Sequence, residues 1–259
     1  MRAAAPTLSL VRREIVRFLR QRSRVTGALA QPVVFWLLLG GGLNASFRPA
    51  GVAATTSYVE YFFPGMIAMV LLFTAIFATI ATVEDRREGF LQGVLVAPVG
   101  RWEIVLGQSL GGTCLAVLQG GLCLVLAPVL GIAMTWGSVL ATLAIITLIS
   151  VALTSLGLII AWRMDSTQGF HAIMNLLLLP LWVLSGALFP ASGAPAPLAW
   201  LMAVNPLTYG VAALRRSLYL AEPAIAGPIP ELLPALAVTF AFAAVTFAVA
   251  TYTANRKVL

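Results

Sequence analysis

Residues Ile104–Trp162 read IVLGQSLGGTCLAVLQGGLCLVLAPVLGIAMTWGSVLATLAIITLISVALTSLGLIIAW, 59 residues without an Asp, Glu, Lys or Arg. A helix rises about 1.5 Å per residue, so roughly 20 apolar residues cross the hydrocarbon core of a bilayer. The stretch predicts two crossings, 106–130 and 137–161, turning near Gly131 to Gly137. Shorter charge-free runs on either side predict further spans at 25–44, 61–83, 168–189 and 232–254, the first ending at Gly40-Gly41-Gly42. The 259-residue chain is 60% hydrophobic and 10% charged. A soluble domain carries about 25% charged residues and could not hide this much apolar surface. The expected fold is an all-α polytopic membrane protein with six transmembrane helices.

Charge sets the orientation. Of the sixteen basic residues, Arg2, Arg12, Arg13, Arg17, Arg20, Arg22 and Arg24 precede the first span. Lys and Arg accumulate on cytoplasmic loops, so the N-terminus and residues 84–104 are expected in the cytoplasm, with the chain multi-pass in the plasma (inner) membrane. No aromatic-basic motif accompanies the arginines, which argues against a nucleic-acid partner. The basic stretch is too long for a signal peptide and reads as retained. Within 8–24, Leu8, Val11, Ile15, Phe18 and Leu19 fall at helical spacing, with arginines opposite. That pattern fits an amphipathic helix in the headgroup layer of the bilayer, or a basic topogenic tail.

Residues 190–231 are harder to place. Pro190, Pro195, Pro197 and Asn205-Pro206 interrupt what would otherwise be a seventh span. Proline removes a backbone donor and breaks helices. Positive-inside counting gives thirteen basic residues inside and three outside for six or seven spans alike. The prolines favour six, with 190–231 an outer-face segment of short, re-entrant helices.

Chemistry-bearing residues are few. The one lysine is Lys257, so there is no Gly-x-x-x-x-Gly-Lys-Ser/Thr loop to cradle a nucleotide. ATP-driven work would need an ATPase on another polypeptide. Cys114 and Cys123 are nine residues apart, near opposite sides of one helix, and read as small buried hydrophobes. No His/Cys/Asp/Glu cluster has metal-ligand spacing. His171 and Asn175 lie four apart on one face of the fifth span. They are candidates for a translocation path, or for an interhelical hydrogen bond. Gly107-x-x-x-Gly111 permits close helix approach, including at a dimer seam. Glu60 and Arg48, at the outer mouth of the second span, are a candidate pair or solvated interfacial charges.

The longest charged connection is EDRREGFLQGVLVAPVGRWE, Glu84 to Glu103. Phe90, Leu91, Val94 and Leu95 form one face of a short helix that Pro98 ends. Such a ridge suits a groove on a soluble partner; the alternative is an inner loop dipping into the headgroups.

This segment resembles the cytoplasmic connection of ABC type-2 transporter permeases. Glu84, Glu88, Gly89, Leu91, Leu95, Pro98, Arg101, Glu103 and Gly107 stand at matching places. The family often has Thr after the glycine and Glu two places later, where this chain has Phe90 and Gln92. LSGALFP followed by LAWLMAVNPLTYGVAALR is similar to the family's segment after its fifth span, through Ser185, Gly186, Phe189, Pro190, Asn205, Pro206, Leu207, Thr208, Tyr209 and Arg215. Within the family the chain most resembles daunorubicin-resistance and nodulation-export permeases.

The resemblance implies a six-span permease that pairs with a second permease subunit, as a homo- or heterodimer. It also implies separate ABC ATPase subunits that bind ATP and Mg, with no cofactor in this chain. Residues 8–24 would be the interface helix. The coupling segment 84–104 would act through Glu84, Arg87, Glu88, Gly89, Phe90, Leu91, Val94, Leu95 and Pro98. Ser185, Gly186, Phe189, Pro190, Asn205, Pro206 and Tyr209 would belong to an outer re-entrant cap. Family members export drugs, lipids, polysaccharides or glycolipids. Two rival classes stay in view, an intramembrane lipid-modifying enzyme and an ion-coupled carrier. Each needs ionisable residues at membrane depth, and the spans carry no Asp, Glu, Lys or Arg.

Overall fold

The computed structural model describes residues 4–46, 56–90, 93, 99–220 and 226–256. They are helical, without strands. In chain order the helices are α1 (Ala4–Arg20), α2 (Arg22–Leu43), α3 (Tyr58–Arg87), α4 (Arg101–Leu124), α5 (Trp136–Ala161), α6 (Thr167–Trp182), α7 (Ala196–Val204), α8 (Pro206–Leu218) and α9 (Leu232–Arg256). Six helical stretches are long and apolar enough to cross a membrane: α2, α3, α4 with its 3-10 extension to Leu130, α5, α6 with its wide turn to Ala187, and α9. α7 and α8 meet at 81° across Asn205.

α3 is the central post. Its apolar residues from Tyr61 to Ile76 are buried without interruption, including Phe62, Phe63, Met66 and Leu71. It is apolar on every side because α2, α4, α5, α6 and α8 all pack against it. The outer helices are one-sided. Leu37 and Leu38 of α2, Leu176 of α6 and Phe240 of α9 are exposed. An apolar exterior of this kind belongs in lipid or against another membrane subunit. Buried hydroxyls and amides tie the spans together: Thr74 donates to Gln119 at 2.7 Å, Thr142 to Ser217 at 2.9 Å, and the Ser109 and Ser155 hydroxyls lie 3.3 Å apart.

Local rules explain the ends. Ser57 and Glu60 form a capping box on α3, so Glu60 is a cap; Arg48 lies outside the described residues. Thr135 and Ser138 cap α5 in the same way after the turn at Gly131. Helix and span boundaries differ from the sequence expectation where charged residues continue a helix. α2 begins at Arg22 rather than residue 25, and α3 runs on to Arg87 rather than 83. Long arginine side chains and paired carboxylates tolerate the last turn of a span, so charge does not mark the helix end.

α1 leaves Leu8 and Leu19 exposed, while Thr7, Glu14 and Phe18 are buried. The buried stripe is set by α4. A Cβ on Gly107 would lie 2.9 Å from Leu10 Cβ, and one on Gly111 2.8 Å from Glu14 Cβ. The Gly-x-x-x-Gly face is therefore taken by α1 of the same chain and is not free for a dimer seam.

Candidate functional site

Two clusters of polar side chains stand at opposite ends of α3. The first is the basic end. Asp85, in the last full turn of α3, is 1% exposed. Its carboxylate accepts from Arg13 Nη1 at 2.6 Å and Nη2 at 2.7 Å, and from Arg17 Nη1 at 2.5 Å. Glu84 accepts from Arg17 Nη2 at 2.7 Å and from Arg24 Nη2 of α2. The forks of Arg13 and Arg17 each grip the carboxylates with two bonds, which fixes direction as well as charge. Arg86 reaches the other way, donating to Trp162 O at 2.8 Å and pairing with Asp165 at 3.3 Å beyond α5. One turn of α3 thus holds α1, α2 and the α5–α6 connection together.

Glu14 sits inside this clasp. Its carboxylate accepts from Arg13 Nη1 at 3.2 Å. Burial, with the Asp85 charge adding to it, raises its pKa to about 7.

Gly89, with φ 78°, turns the chain out of α3. The left-handed conformation suits glycine and stops the helix there. Phe90 resumes helical geometry, and the Arg13 guanidinium lies 3.8 Å from its ring centroid. Of the coupling residues read from the sequence, Glu84 and Arg87 are in α3 itself, while Glu88, Gly89 and Phe90 begin the connection. Leu91, Val94, Leu95 and Pro98 lie outside the described residues. Asp85, the hub of the cluster, was not among the candidates. In sequence it is one acid in an acidic-basic run, and only the convergence of α1 on α3 singles it out.

The second cluster is the bent end. After Trp182 the chain makes a wide turn, Val183–Ala187, with Gly186 at φ 78°. Such a turn frees carbonyls at membrane depth, and each must find a donor. Asn205 Nδ2 takes Leu181 O at 2.7 Å and Thr208 Oγ1 takes Leu184 O at 3.2 Å. Tyr61 OH and Arg215 Nη2 share Gly186 O at 3.0 and 3.3 Å, and Tyr58 OH takes Leu188 O at 3.1 Å. Trp182 Nε1 crosses to Gly65 O of α3 at 2.8 Å.

This accounts for the second sequence motif. Asn205 also caps α8, accepting from Leu207 N at 3.0 Å, and Pro206 stands at the first helical position. Tyr209 OH donates back to Ala203 O of α7 at 2.9 Å. Ser185 Oγ donates to Trp182 O at 2.6 Å. Arg215, 4% exposed, adds a bond to Tyr61 O at 3.1 Å and stacks over the Tyr61 ring at 4.0 Å. Pro190 and Gly186 line a small cavity beside it, and Phe189 lines an apolar cavity of about 380 Å³ with Leu39, Leu43 and Tyr58. Tyr58 and Tyr61 were missed by the sequence reading because tyrosines near a span end look like an ordinary interfacial belt.

His171 and Asn175 are not brought to either cluster. The His171 ring meets Phe77 and Phe170 edge-on, at 6.1 and 6.3 Å. Asn175 is exposed on α6 beside Ile173 and Leu176.

The family model described as ABC-2 type transporter matches residues 6–219, which span both clusters. Nodulation protein J of Rhizobium leguminosarum bv. viciae is 27% identical over 237 residues, covering 91% of this chain and 88% of that protein. Nodulation protein J of Sinorhizobium fredii is 31% identical over 193 residues, 74% of this chain and 72% of its own. The ycf38 protein of Cyanophora paradoxa is 26% identical over 210 residues, 80% and 71% of the two chains. With a six-span helical body and a match over most of its length, the chain belongs to the ABC-2 type transporter family, as a multi-pass membrane permease subunit.

Proposed function

We propose that this permease moves a hydrophobic or amphipathic substrate, such as a drug, lipid, glycolipid or polysaccharide, out of the cytoplasm, using ATP hydrolysed by a separate ABC ATPase. The basic end faces the cytoplasm in this reading, as the excess of Lys and Arg there favours. The observation that carries it is the clasp at Asp85. Arg13, Arg17 and Arg24 bind the last turn of α3 immediately before the 88–100 connection, which links two spans.

A force applied to that connection reaches α3 directly and reaches α1 through the ion pairs. α1 in turn lies against Gly107 and Gly111 of α4. A push from an ATPase that closes on ATP would therefore move α1, α3 and α4 as one body, a rigid-body switch rather than a local loop motion. The ridge Phe90, Leu91, Val94 and Leu95 supplies an apolar surface for the ATPase to grip.

A second permease subunit completes the path. The exposed apolar faces of α2 and α6 support this, and so does Asn175, whose amide would stand in lipid if nothing covered it. His171 and Asn175 then border the path between subunits. The test is the pair Leu91→Asp and Leu95→Asp. Transport should fall at least about tenfold, with membrane level unchanged, because each charge placed in an apolar docking groove costs affinity. Normal transport by the double variant would exclude the ridge as the docking element.

A further inference from the structure

Arg215 carries a buried positive charge at the bent end, and its hydrogen bonds there use only part of the guanidinium. The group has five N–H donors, one on Nε and two on each terminal nitrogen. The Nη2 donors go to Tyr61 O and Gly186 O. Stacking on the Tyr61 ring covers a face of the guanidinium plane and leaves its edge unused. Nε is buried without an acceptor, and Nη1 has none among the described residues. A buried donor left without an acceptor is costly, more so on a charged group. No carboxylate pairs with Arg215 among the described residues. Glu60, next to Tyr61, is turned to cap α3 through Ser57 N, and Glu231 is exposed.

Arg215 also lines a cavity of about 50 Å³. Thr208, Val211, Ala212 and Arg215 form one wall, at the spacing of a single face of α8. Ile229 and Pro230 form another, tied to α8 by Arg216, whose Nε donates to Pro230 O at 2.6 Å and whose Nη2 donates to Ile229 O at 2.8 Å. A second cation thus stands behind that wall. The hydroxyls of the lining spend their hydrogens elsewhere: Tyr61 on Gly186 O, Ser185 on Trp182 O and Thr208 on Met202 O. Pro190, Pro228 and Pro230 have no N–H to offer. Arg215 is therefore the one side chain of the lining with donors to spare. A single water needs about 10–15 Å³, so the space admits a small ion with a water or two and excludes a lipid chain.

We propose that this cavity binds a small monovalent anion, with chloride as the probe, on the free edge of Arg215. A charge taken out of water needs an opposite charge as well as hydrogen bonds, and the carbonyls of Tyr61 and Gly186 supply only the bonds. Water alone would occupy the donors and leave the charge unmet. The anion completes the corner that Arg215 builds, so the stability of the wide turn depends on its concentration. The site stands on the bent end alone and is independent of cargo, of the ATPase and of the direction of transport.

The test is thermal unfolding of the purified chain as chloride replaces gluconate, an anion too large for the cavity, at constant ionic strength. At ten times its dissociation constant chloride should raise the melting temperature by about 3–6 °C, and the rise should saturate. Arg215→Met should abolish the shift, and Arg256→Gln, at an exposed arginine far along the chain, should keep it. Crystals of the native chain soaked in bromide give a readout that does not depend on any variant folding: an anomalous peak within hydrogen-bonding reach of Arg215 Nε or Nη1. A native melting temperature indifferent to chloride, or a shift that survives Arg215→Met, would overturn the proposal. So would bromide crystals without that peak, which would leave water as the occupant. A shift that appears only in Glu222→Gln would overturn it too, by giving the counter-charge to that carboxylate.

Discussion

The two ends of α3 are both rich in arginine, and they handle it in opposite ways. At the basic end three guanidinia meet two carboxylates, and the bonds run between helices whose chain positions are far apart. At the bent end Arg215 has no carboxylate among the described residues and is bound by the carbonyls of Tyr61 and Gly186. Between α1, α2 and α3 opposite charges tie side chain to side chain, so that clasp can part and re-form with little disturbance of backbone. The bent end satisfies carbonyls that the wide turn takes out of the helical ladder, so opening it exposes backbone to lipid. The first arrangement suits a joint that transmits motion, the second a fixed corner.

Asp85→Asn should produce the largest change. It removes the shared partner of Arg13 and Arg17 and leaves both guanidinia partly buried. The cost should fall between the roughly 1 kcal/mol of an exposed pair and the about 3–5 kcal/mol of a fully buried one. Transport in proteoliposomes should fall further than this loss of stability explains, because the joint between α1 and α3 is broken. Unchanged coupling would reduce the clasp to a packing feature.

Arg215→Met comes next. Hydrogen bonds from a charged donor contribute about 1.5–3 kcal/mol each, and two carbonyls lose theirs. Thermal unfolding should be earlier, and the ATPase should still be stimulated by whatever chain remains folded. If Arg215→Met uncoupled the ATPase while leaving the melting temperature alone, the two ends would not divide the work as described.

Asn205→Ala should cost about 1–2 kcal/mol, from the lost cap on α8 and from Leu181 O left without its donor. Differential scanning fluorimetry in detergent resolves an effect of this size.

Glu14→Gln should have the smallest effect at acid pH and a growing one above it. The folded pKa of about 7 lies above the ordinary value of 4.5, so the folded chain holds a proton that the unfolded chain releases. Stability then falls as pH rises from about 4.5 to 7, because folding must keep Glu14 protonated or bury its charge. The Gln variant should lack this slope. A native chain with a flat profile over that window would show that Glu14 is solvated or fully paired.

How much of this could be read from the sequence depends on the physics at each place. The charge-free run from Ile104 to Trp162 sufficed for two helices and their turn, because hydrophobic length has one meaning in a bilayer. The wide turn was legible only as a proline-rich interruption. That Asn205, Thr208, Tyr61 and Arg215 converge on its carbonyls depends on α3 and α8 meeting, which no local pattern encodes. The side of α1 that packs on α4 is not legible in the sequence for a related reason. Periodicity ranks residues by polarity, whereas Glu14 is buried because Gly111 allows α1 to approach closely. Asp85 was overlooked because its neighbours Glu84 and Arg86 look equivalent to it in sequence, and burial alone separates them.

The most direct measurement compares purified chain in proteoliposomes with and without its separate ATPase, following ATP hydrolysis and substrate movement together. The account predicts no hydrolysis and no uphill movement by the chain alone, and both once the ATPase is added, lost together in Asp85→Asn. Uphill movement or ATP consumption by the chain alone would contradict it.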